Sequence, residues 1–150
     1  MHLVFDFEDE GVHALTLMSY DLRRKLDLAG LKLSLAAWQA LPKVDRQRLA
    51  EMPGATHDDI AAFGAAVRAA AARVALPPTE QPPVTHRPWN EPANLINLIK
   101  AAMPKARRID PEALAAVSET ARYALYRLAE PRKKSDRLVE ALRILELIDA

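Results

Sequence analysis

The distribution of proline divides this chain into two parts. Six of the eleven prolines lie between residues 77 and 92, in the stretch PPTEQPPVTHRPWNEP. Proline lacks the backbone N–H that a helix needs, and repeated prolines favour an extended chain, so this stretch predicts a stiff linker. Most of the other prolines stand where apolar periodicity begins or ends, and glycine occurs only four times. We therefore expect helices on both sides of an extended connector.

The predicted fold is all-α, a compact bundle of about seven helices in one domain. We expect an extended or hairpin N-terminal arm at 1–18, because short apolar runs surround a possible turn there. A first helical unit follows at 19–76, then the proline-rich linker at 77–92 and a second helical unit at 93–150. The two helical units are expected to share one core.

Capping residues place the helix boundaries in the first half. Ser19 and Ser34 are good N-caps, and Gly30 is placed to end the intervening helix in the left-handed conformation. Thr56, followed three residues later by Asp59, predicts an acidic variant of the capping box at the start of a long helix.

In the second half, Pro92 suits a first helical position, and Asp110 starts a helix that we expect to continue unbroken towards Pro131. Ser135 is expected to cap the last helix. Apolar periodicity predicts a core that includes Leu22, Leu26, Trp38, Leu41, Leu49, Phe63, Leu98, Leu114, Val117, Leu125 and Leu142.

The two halves resemble each other at an offset of 76 residues. This offset aligns caps, basic positions and core positions: Lys32 with Arg108, Ser34 with Asp110, Trp38 with Leu114, Arg46 with Arg122, and Leu49 with Leu125. One position opposes the match, because Pro42 falls on Ser118, in the middle of an expected helix. Since any two amphipathic helical hairpins align at some offset, duplication and coincidence both stay open.

The composition excludes several classes of function. The absence of cysteine excludes disulfides, zinc–thiolate sites, cysteine-ligated clusters and covalent haem, but it leaves noncovalent haem open. No apolar run approaches the roughly 20 residues of a membrane span. The four histidines form no HExxH motif, and the sequence holds no GxSxG motif and no glycine-rich phosphate loop. We therefore expect no catalytic residue and no metal site.

Basic residues are the better lead, although the net charge is only +1. One group comprises Arg23-Arg24-Lys25, Lys32, Arg46 and Arg48, and the other comprises Lys105, Arg107, Arg108, Arg122, Arg127 and Arg132-Lys133-Lys134. Such faces suit a nucleic-acid-binding protein, but near-neutral charge and scarce aromatic residues argue against one. Because Arg46 and Arg122 have apolar neighbours, we expect them to pair with carboxylates; the candidate partners are Glu8, Asp27 and Glu119.

A set of signature residues spans the chain. It runs Phe5-x-Phe7-Glu8, then Leu22-Arg23-x-Lys25-Leu26-Asp27-x-x-Gly30-x-Lys32-Leu33-x-Leu35-x-x-Trp38, then Arg46-x-x-Leu49, and later Arg122-Tyr123-Ala124-Leu125-x-x-Leu128-x-x-Pro131. In these residues the chain resembles the nitrate reductase-associated protein family, best known from cyanobacteria. That family carries cysteines near the equivalents of Leu15–Leu17 and Gly54, and this chain has none, so a cysteine-dependent metal role is excluded here.

The resemblance implies a non-enzymatic, cytoplasmic accessory protein of nitrate assimilation, because family members are typically encoded near nitrate reductase and molybdopterin genes. The implied partner is a molybdoenzyme such as nitrate reductase. The lack of a long apolar run predicts no membrane contact, and the near-neutral charge disfavours nucleic acid. The alternative is a helical domain that binds haem or an anionic molybdopterin-type cofactor, with Arg24, Lys32, Arg108 and Arg122 as candidate ligands. Nucleic-acid binding is the third hypothesis.

Overall fold

The computed structural model describes residues 4–84, 86–103, 109–130 and 135–148. Within these ranges the chain forms nine α-helices and one sheet of two short strands. The all-α prediction is confirmed, with more helices than the about seven expected from periodicity. The chain divides into two compact units, Met1–Thr85 and His86–Ala150, so the boundary between the units falls within the proline-rich stretch.

The first unit, over residues 4–84, contains five helices and both strands. In chain order they are α1 (Glu10–His13), α2 (Tyr20–Ala29), β1 (Leu31–Lys32), α3 (Leu35–Ala40), α4 (Lys43–Glu51), α5 (His57–Arg73) and β2 (Thr79–Glu80). The strands pair antiparallel, with Leu31 opposite Glu80, so part of the predicted linker returns to the end of α2.

Helix ends in the first unit follow the capping residues. The hydroxyl oxygens of Ser19 and Ser34 each accept a hydrogen bond from a backbone N–H of the helix that follows. Thr56 and Asp59 form the predicted capping box. Gly30 ends α2 with φ of 71°, and a Cβ there would lie 2.6 Å from the carbonyl oxygen of Gln81. Glycine is therefore required for both its conformation and its lack of a side chain.

Of the two alternatives for the N-terminal arm, extended or hairpin, the hairpin is not found in the described residues 4–18, which form no strand. Residues Glu10–His13 form a helical turn, and Leu15 follows with φ of 62°, which redirects the chain before a second strand begins. The ring of Phe5 stacks on that of Phe7 with centroids 4.9 Å apart, and Phe7 is buried. Apolar side chains at alternate positions therefore pack locally without a strand partner.

The described residues of the second unit form a 3₁₀ turn and four helices. They are the turn Pro88–Asn90, α6 (Pro92–Ala102), α7 (Pro111–Ala116), α8 (Glu119–Leu128) and α9 (Ser135–Ile144). The prediction of one unbroken helix from Asp110 towards Pro131 is wrong. Val117 is extended, with ψ of 160°, and the Ser118 hydroxyl caps α8 by accepting from the N–H of Ala121. A serine that can cap a helix competes with helix continuation.

The predicted core is buried at nine of its eleven positions. The exceptions are Leu98 and Val117, which are half-buried. Val117 lies in the break between α7 and α8, where the helical period that predicted its burial is lost.

The helix break also removes the objection to the offset of 76 residues. Adding 76 to the bounds of α3, 35–40, gives the bounds of α7, 111–116, and adding it to 43, where α4 begins, gives 119, where α8 begins. Pro42 and Ser118 are both the N-cap residues of the helices that follow them.

Candidate functional site

The four candidate ligands of an anionic cofactor have different environments. Arg24 is buried in α2, and Lys32 is exposed on β1. Arg122 is half-buried in α8. Arg108 lies outside the described residues, as do Lys105, Arg107 and Arg132-Lys133-Lys134 of the second basic group.

The first unit contains a fully buried ammonium group. The Lys25 side chain in α2 is 0% exposed, and its Nζ donates to the carbonyl oxygens of Leu49, Ala50 and Met52 at 3.0, 3.1 and 2.8 Å. These acceptors lie at the C-terminal end of α4, where carbonyl groups lack partners within the helix and carry partial negative charge. The three N–H donors of the ammonium thus match three acceptors.

Charged and aromatic side chains surround the Lys25 ammonium group. Its Nζ lies 3.6 Å from Asp21 Oδ2, and Arg24 Nη2 lies 3.2 Å from Asp21 Oδ1. Arg24 Nη1 also donates to the carbonyl oxygen of Gly54 at 2.8 Å, so two cations from one helix hold the turn after α4. The Phe63 ring lies 4.9 Å from Nζ. Burial lowers the pKa of Lys25, and the charge of Asp21 partly opposes this effect.

Gly54 makes room for this cluster. A Cβ at position 54 would lie 2.5 Å from Cγ of Lys25 and 2.7 Å from its Cδ, closer than carbon atoms approach. Both atoms belong to a side chain that is held at its far end by three hydrogen bonds. The Lys25 stem therefore occupies the space that a larger residue at position 54 would need.

A second group of signature residues converges on one backbone carbonyl. Trp38 Nε1 and Arg46 Nη1 both donate to the carbonyl oxygen of Leu15, at 2.9 and 2.7 Å. These bonds tie α3 and α4 to the N-terminal arm. The prediction that Arg46 pairs with a carboxylate is wrong for the hydrogen bond that the structure describes. Its Nη1 donates to the Leu15 carbonyl oxygen instead.

Glu8 also holds the arm in place. Its two carboxylate oxygens accept from the backbone N–H groups of Phe5 and Tyr20, each at 2.9 Å. Tyr20 is the first residue of α2, so Glu8 satisfies a free N–H at that helix N-terminus. Burial raises the pKa of Glu8, although both hydrogen bonds act in the opposite direction.

The other signature residues of the two helices differ in their exposure to solvent. Leu26 and Leu125 are buried, Asp27 is half-buried, and the exposed Arg23 lies over the Tyr20 ring at 5.7 Å.

In the second unit a polar network fixes the 3₁₀ turn to α8. Glu119 accepts from Arg87 Nη1 at 2.9 Å, Asn90 Nδ2 at 2.7 Å and Trp89 Nε1 at 3.3 Å. Arg122 in turn donates to Asn90 Oδ1 at 3.1 Å.

Arg122 also donates to the carbonyl oxygens of Ala115 and Val117 at the end of α7. The prediction that Arg122 pairs with a carboxylate is therefore wrong for the hydrogen bonds that the structure describes. All of these bonds go to amide oxygens. Glu119, the candidate for that pairing, binds Arg87 instead.

The sequence contains an indication that Lys25 is buried, although Lys25 is not among the predicted ligand residues. Lys25 lies three residues after Leu22 and next to Leu26, so the helical period places it on the apolar face of α2. A charged residue on such a face must find a buried partner. Its acceptors, however, lie on another helix 24 to 27 residues away, and local periodicity does not identify them.

The described parts of the chain hold no group of three or more histidine, aspartate or glutamate residues placed to bind a metal. Among the helices in the described ranges, none is long and apolar enough to cross a membrane.

The fold and the contacts define a class of protein. It is an all-α protein in two units, in which buried charged residues hold helix ends and connecting segments. A family model for conserved nitrate reductase-associated proteins matches residues 4–145. Since this match covers nearly the whole chain, the protein belongs to the nitrate reductase-associated family. Comparisons with curated proteins and with solved structures gave no match.

Proposed function

We propose that this protein is a non-enzymatic, cytoplasmic accessory protein that assists the maturation or assembly of nitrate reductase. The observation that carries the proposal is family membership over residues 4–145. The family is named for association with nitrate reductase, and assistance to that enzyme is the finer role that we assign to this chain.

The use of the charged residues supports a binding role over a cofactor site. Arg24 and Arg122, two of the four candidate ligands, donate to backbone oxygens of their own units. Lys25 uses its three donors in the same way. Such contacts stabilise the positions of helices, and rigid helical faces are suited to recognising a protein surface.

Deletion of the gene tests this proposal. We expect lower nitrate reductase activity in cell extracts and poor growth on nitrate, with normal growth on ammonium and recovery when the wild-type gene is restored. Immunoblots for the nitrate reductase polypeptide and assays of its bound molybdenum separate assembly from expression. Wild-type activity and growth on nitrate in the deletion strain would overturn the proposal.

The alternative functions have direct tests on gently purified protein. Absorption spectroscopy and mass spectrometry detect haem or a bound pterin, and either cofactor in stoichiometric amount would replace the proposal with the ligand-binding alternative. A gel shift that weakens with salt would favour nucleic-acid binding, because phosphate contacts release counterions. We expect neither result.

We also infer that the two units are copies of one helical unit. The coincident bounds of the α3–α4 and α7–α8 pairs support this inference. So do Arg46 and Arg122, which occupy the same helix position and both reach back to the segment before the first long helix of their unit, at Leu15 and Asn90. An experimental structure in which α2–α5 and α6–α9 do not superpose would contradict it.

A further inference from the structure

The end of α4 presents several oxygen atoms to a single point in the first unit. Lys25 Nζ donates to the carbonyl oxygens of Leu49, Ala50 and Met52 at 3.0, 3.1 and 2.8 Å. One carboxylate oxygen of Asp21 lies 3.6 Å from the same nitrogen. Carbonyl oxygens at a helix C-terminus carry partial negative charge, so these groups together attract a cation. We call the three carbonyl groups and the Asp21 carboxylate the α4 cradle.

The geometry of the α4 cradle suits an ammonium group. Its three carbonyl oxygens lie at hydrogen-bond distances from Nζ, and an –NH₃⁺ group has three N–H donors. The Phe63 ring, with its centroid 4.9 Å from Nζ, adds a cation–π contact. A Ca²⁺ ion instead takes about six to eight oxygen ligands at about 2.3–2.6 Å, without an aromatic ring among them. The cradle therefore favours an ammonium ion over a divalent metal.

The space beside the cradle fits an unbranched alkyl chain. The Lys25 side chain is fully buried, and Gly54 lies next to its stem. A Cβ at position 54 would lie 2.5 Å from Cγ of Lys25 and 2.7 Å from its Cδ. One added methyl group would therefore occupy the space that the stem needs. The ammonium group and the carbon chain that carries it are both closely enclosed.

We propose that the α4 cradle is a binding site for a primary alkylammonium ion and that Lys25 is its built-in ligand. The carbonyl groups belong to the end of α4, so the bond that joins the Lys25 stem to α2 is not part of their contact with the ammonium group. A variant without the stem therefore keeps a site for a free alkylammonium ion of matching length. Propylammonium matches, because it has the three carbons and the nitrogen that follow Cβ in lysine. This inference does not depend on the proposed function.

Titration of the full-length Lys25→Ala variant with propylammonium chloride tests the site. We expect the substitution to raise the equilibrium constant for unfolding by about a hundredfold or more, because the buried carbonyl groups lose their donor. Propylammonium is expected to reverse this loss with saturation, by about elevenfold at ten times its Kd. Urea denaturation measures both changes, and sucrose keeps a marginally stable variant folded during the titration.

Tetramethylammonium chloride at the same ionic strength is the matched ligand control. It carries the same charge but has no N–H group, so we expect it to leave the stability of Lys25→Ala unchanged. If Lys25→Ala is unfolded without ligand, the far-ultraviolet circular dichroism signal should return with propylammonium alone. The proposal is overturned if propylammonium has no effect, or if tetramethylammonium stabilises the variant equally well.

Two further variants test whether the effect belongs to this site. Leu26→Ala removes a buried side chain from the same helix but leaves Lys25 in the cradle, so we expect no stabilisation by propylammonium. In the double variant Lys25→Ala/Gly54→Ala, the added methyl group fills the stem space, and we expect Kd for propylammonium to rise by about tenfold or more. Equal stabilisation of Leu26→Ala, or an unchanged Kd in the double variant, would contradict the proposed site.

Discussion

Lys25 shows how a signature residue can be conspicuous in sequence and structural in role. A buried ammonium is costly unless it is fully hydrogen-bonded and balanced by charge. Here three carbonyl oxygens and Asp21 meet both requirements. Because the acceptors lie at the end of α4, Lys25 fixes the position of that helix against α2.

Replacement of Lys25 by methionine tests this role. The variant keeps most of the side-chain volume but leaves three carbonyl groups without their buried donor. We expect the free energy of unfolding to fall by about 3 kcal/mol. Urea denaturation measures it. Lys43→Met, at an exposed position of α4, is the control and is expected to change stability by less than about 0.5 kcal/mol. Equal effects of the two substitutions would contradict the structural role of Lys25.

The raised pKa of Glu8 predicts how the stability of the fold depends on pH. Because burial raises the pKa of this carboxyl above 4.5, the folded state holds its proton more tightly than the unfolded state does. The contribution of Glu8 to stability is therefore fully present below pH 4.5 and is lost as pH rises through the higher folded pKa. Glu8→Gln is expected to remove this part of the pH dependence.

The measurement for Glu8 is the free energy of unfolding of both proteins from pH 4 to pH 7. Other carboxyl groups titrate in the same range, so the informative quantity is the difference between wild-type protein and the Glu8→Gln variant. A difference that does not change with pH would contradict the raised pKa of Glu8.

At the scale of elements, local chemistry predicted some helix boundaries well and others poorly. Ser19, Gly30 and Ser34 act through hydrogen bonds or backbone angles within a few residues, so the sequence alone identifies them. The break at Ser118 was missed because apolar spacing continues across it. The strand pairing of Leu31 with Glu80 was missed because the two residues are far apart in the chain.

The capping role of Ser118 predicts the stability of a variant that lacks its hydroxyl group. Ser118→Ala removes the oxygen that accepts from the Ala121 N–H at the start of α8. We expect a loss of stability of about 1 kcal/mol, the usual value for an N-cap serine. Ser34→Ala at the N-cap of α3 is expected to cost a similar amount, whereas Gln47→Ala inside α4 is expected to change little. Thermal denaturation of the three variants measures these changes. If Ser118→Ala does not change stability, Ser118 does not stabilise the start of α8 as a cap.

At the scale of the whole molecule, the sequence predicted the fold class and the family but not the candidate site. The all-α class follows from periodicity, proline placement and helix caps, which are distributed along the entire chain. The roles of Lys25, Gly54 and Trp89 depend on contacts between elements, and no local pattern specifies them.

The burial of Lys25 has a consequence for chemical labelling. An ammonium that is 0% exposed is inaccessible to amine-reactive reagents, unlike the exposed Lys32 and Lys43. Modification of Lys25, followed by peptide mass spectrometry, therefore reports opening of the α2–α4 contact. We expect its labelling rate to track global unfolding in urea, while Lys32 and Lys43 react at once. Rapid labelling of Lys25 under native conditions would show that α4 detaches without unfolding of the rest of the unit.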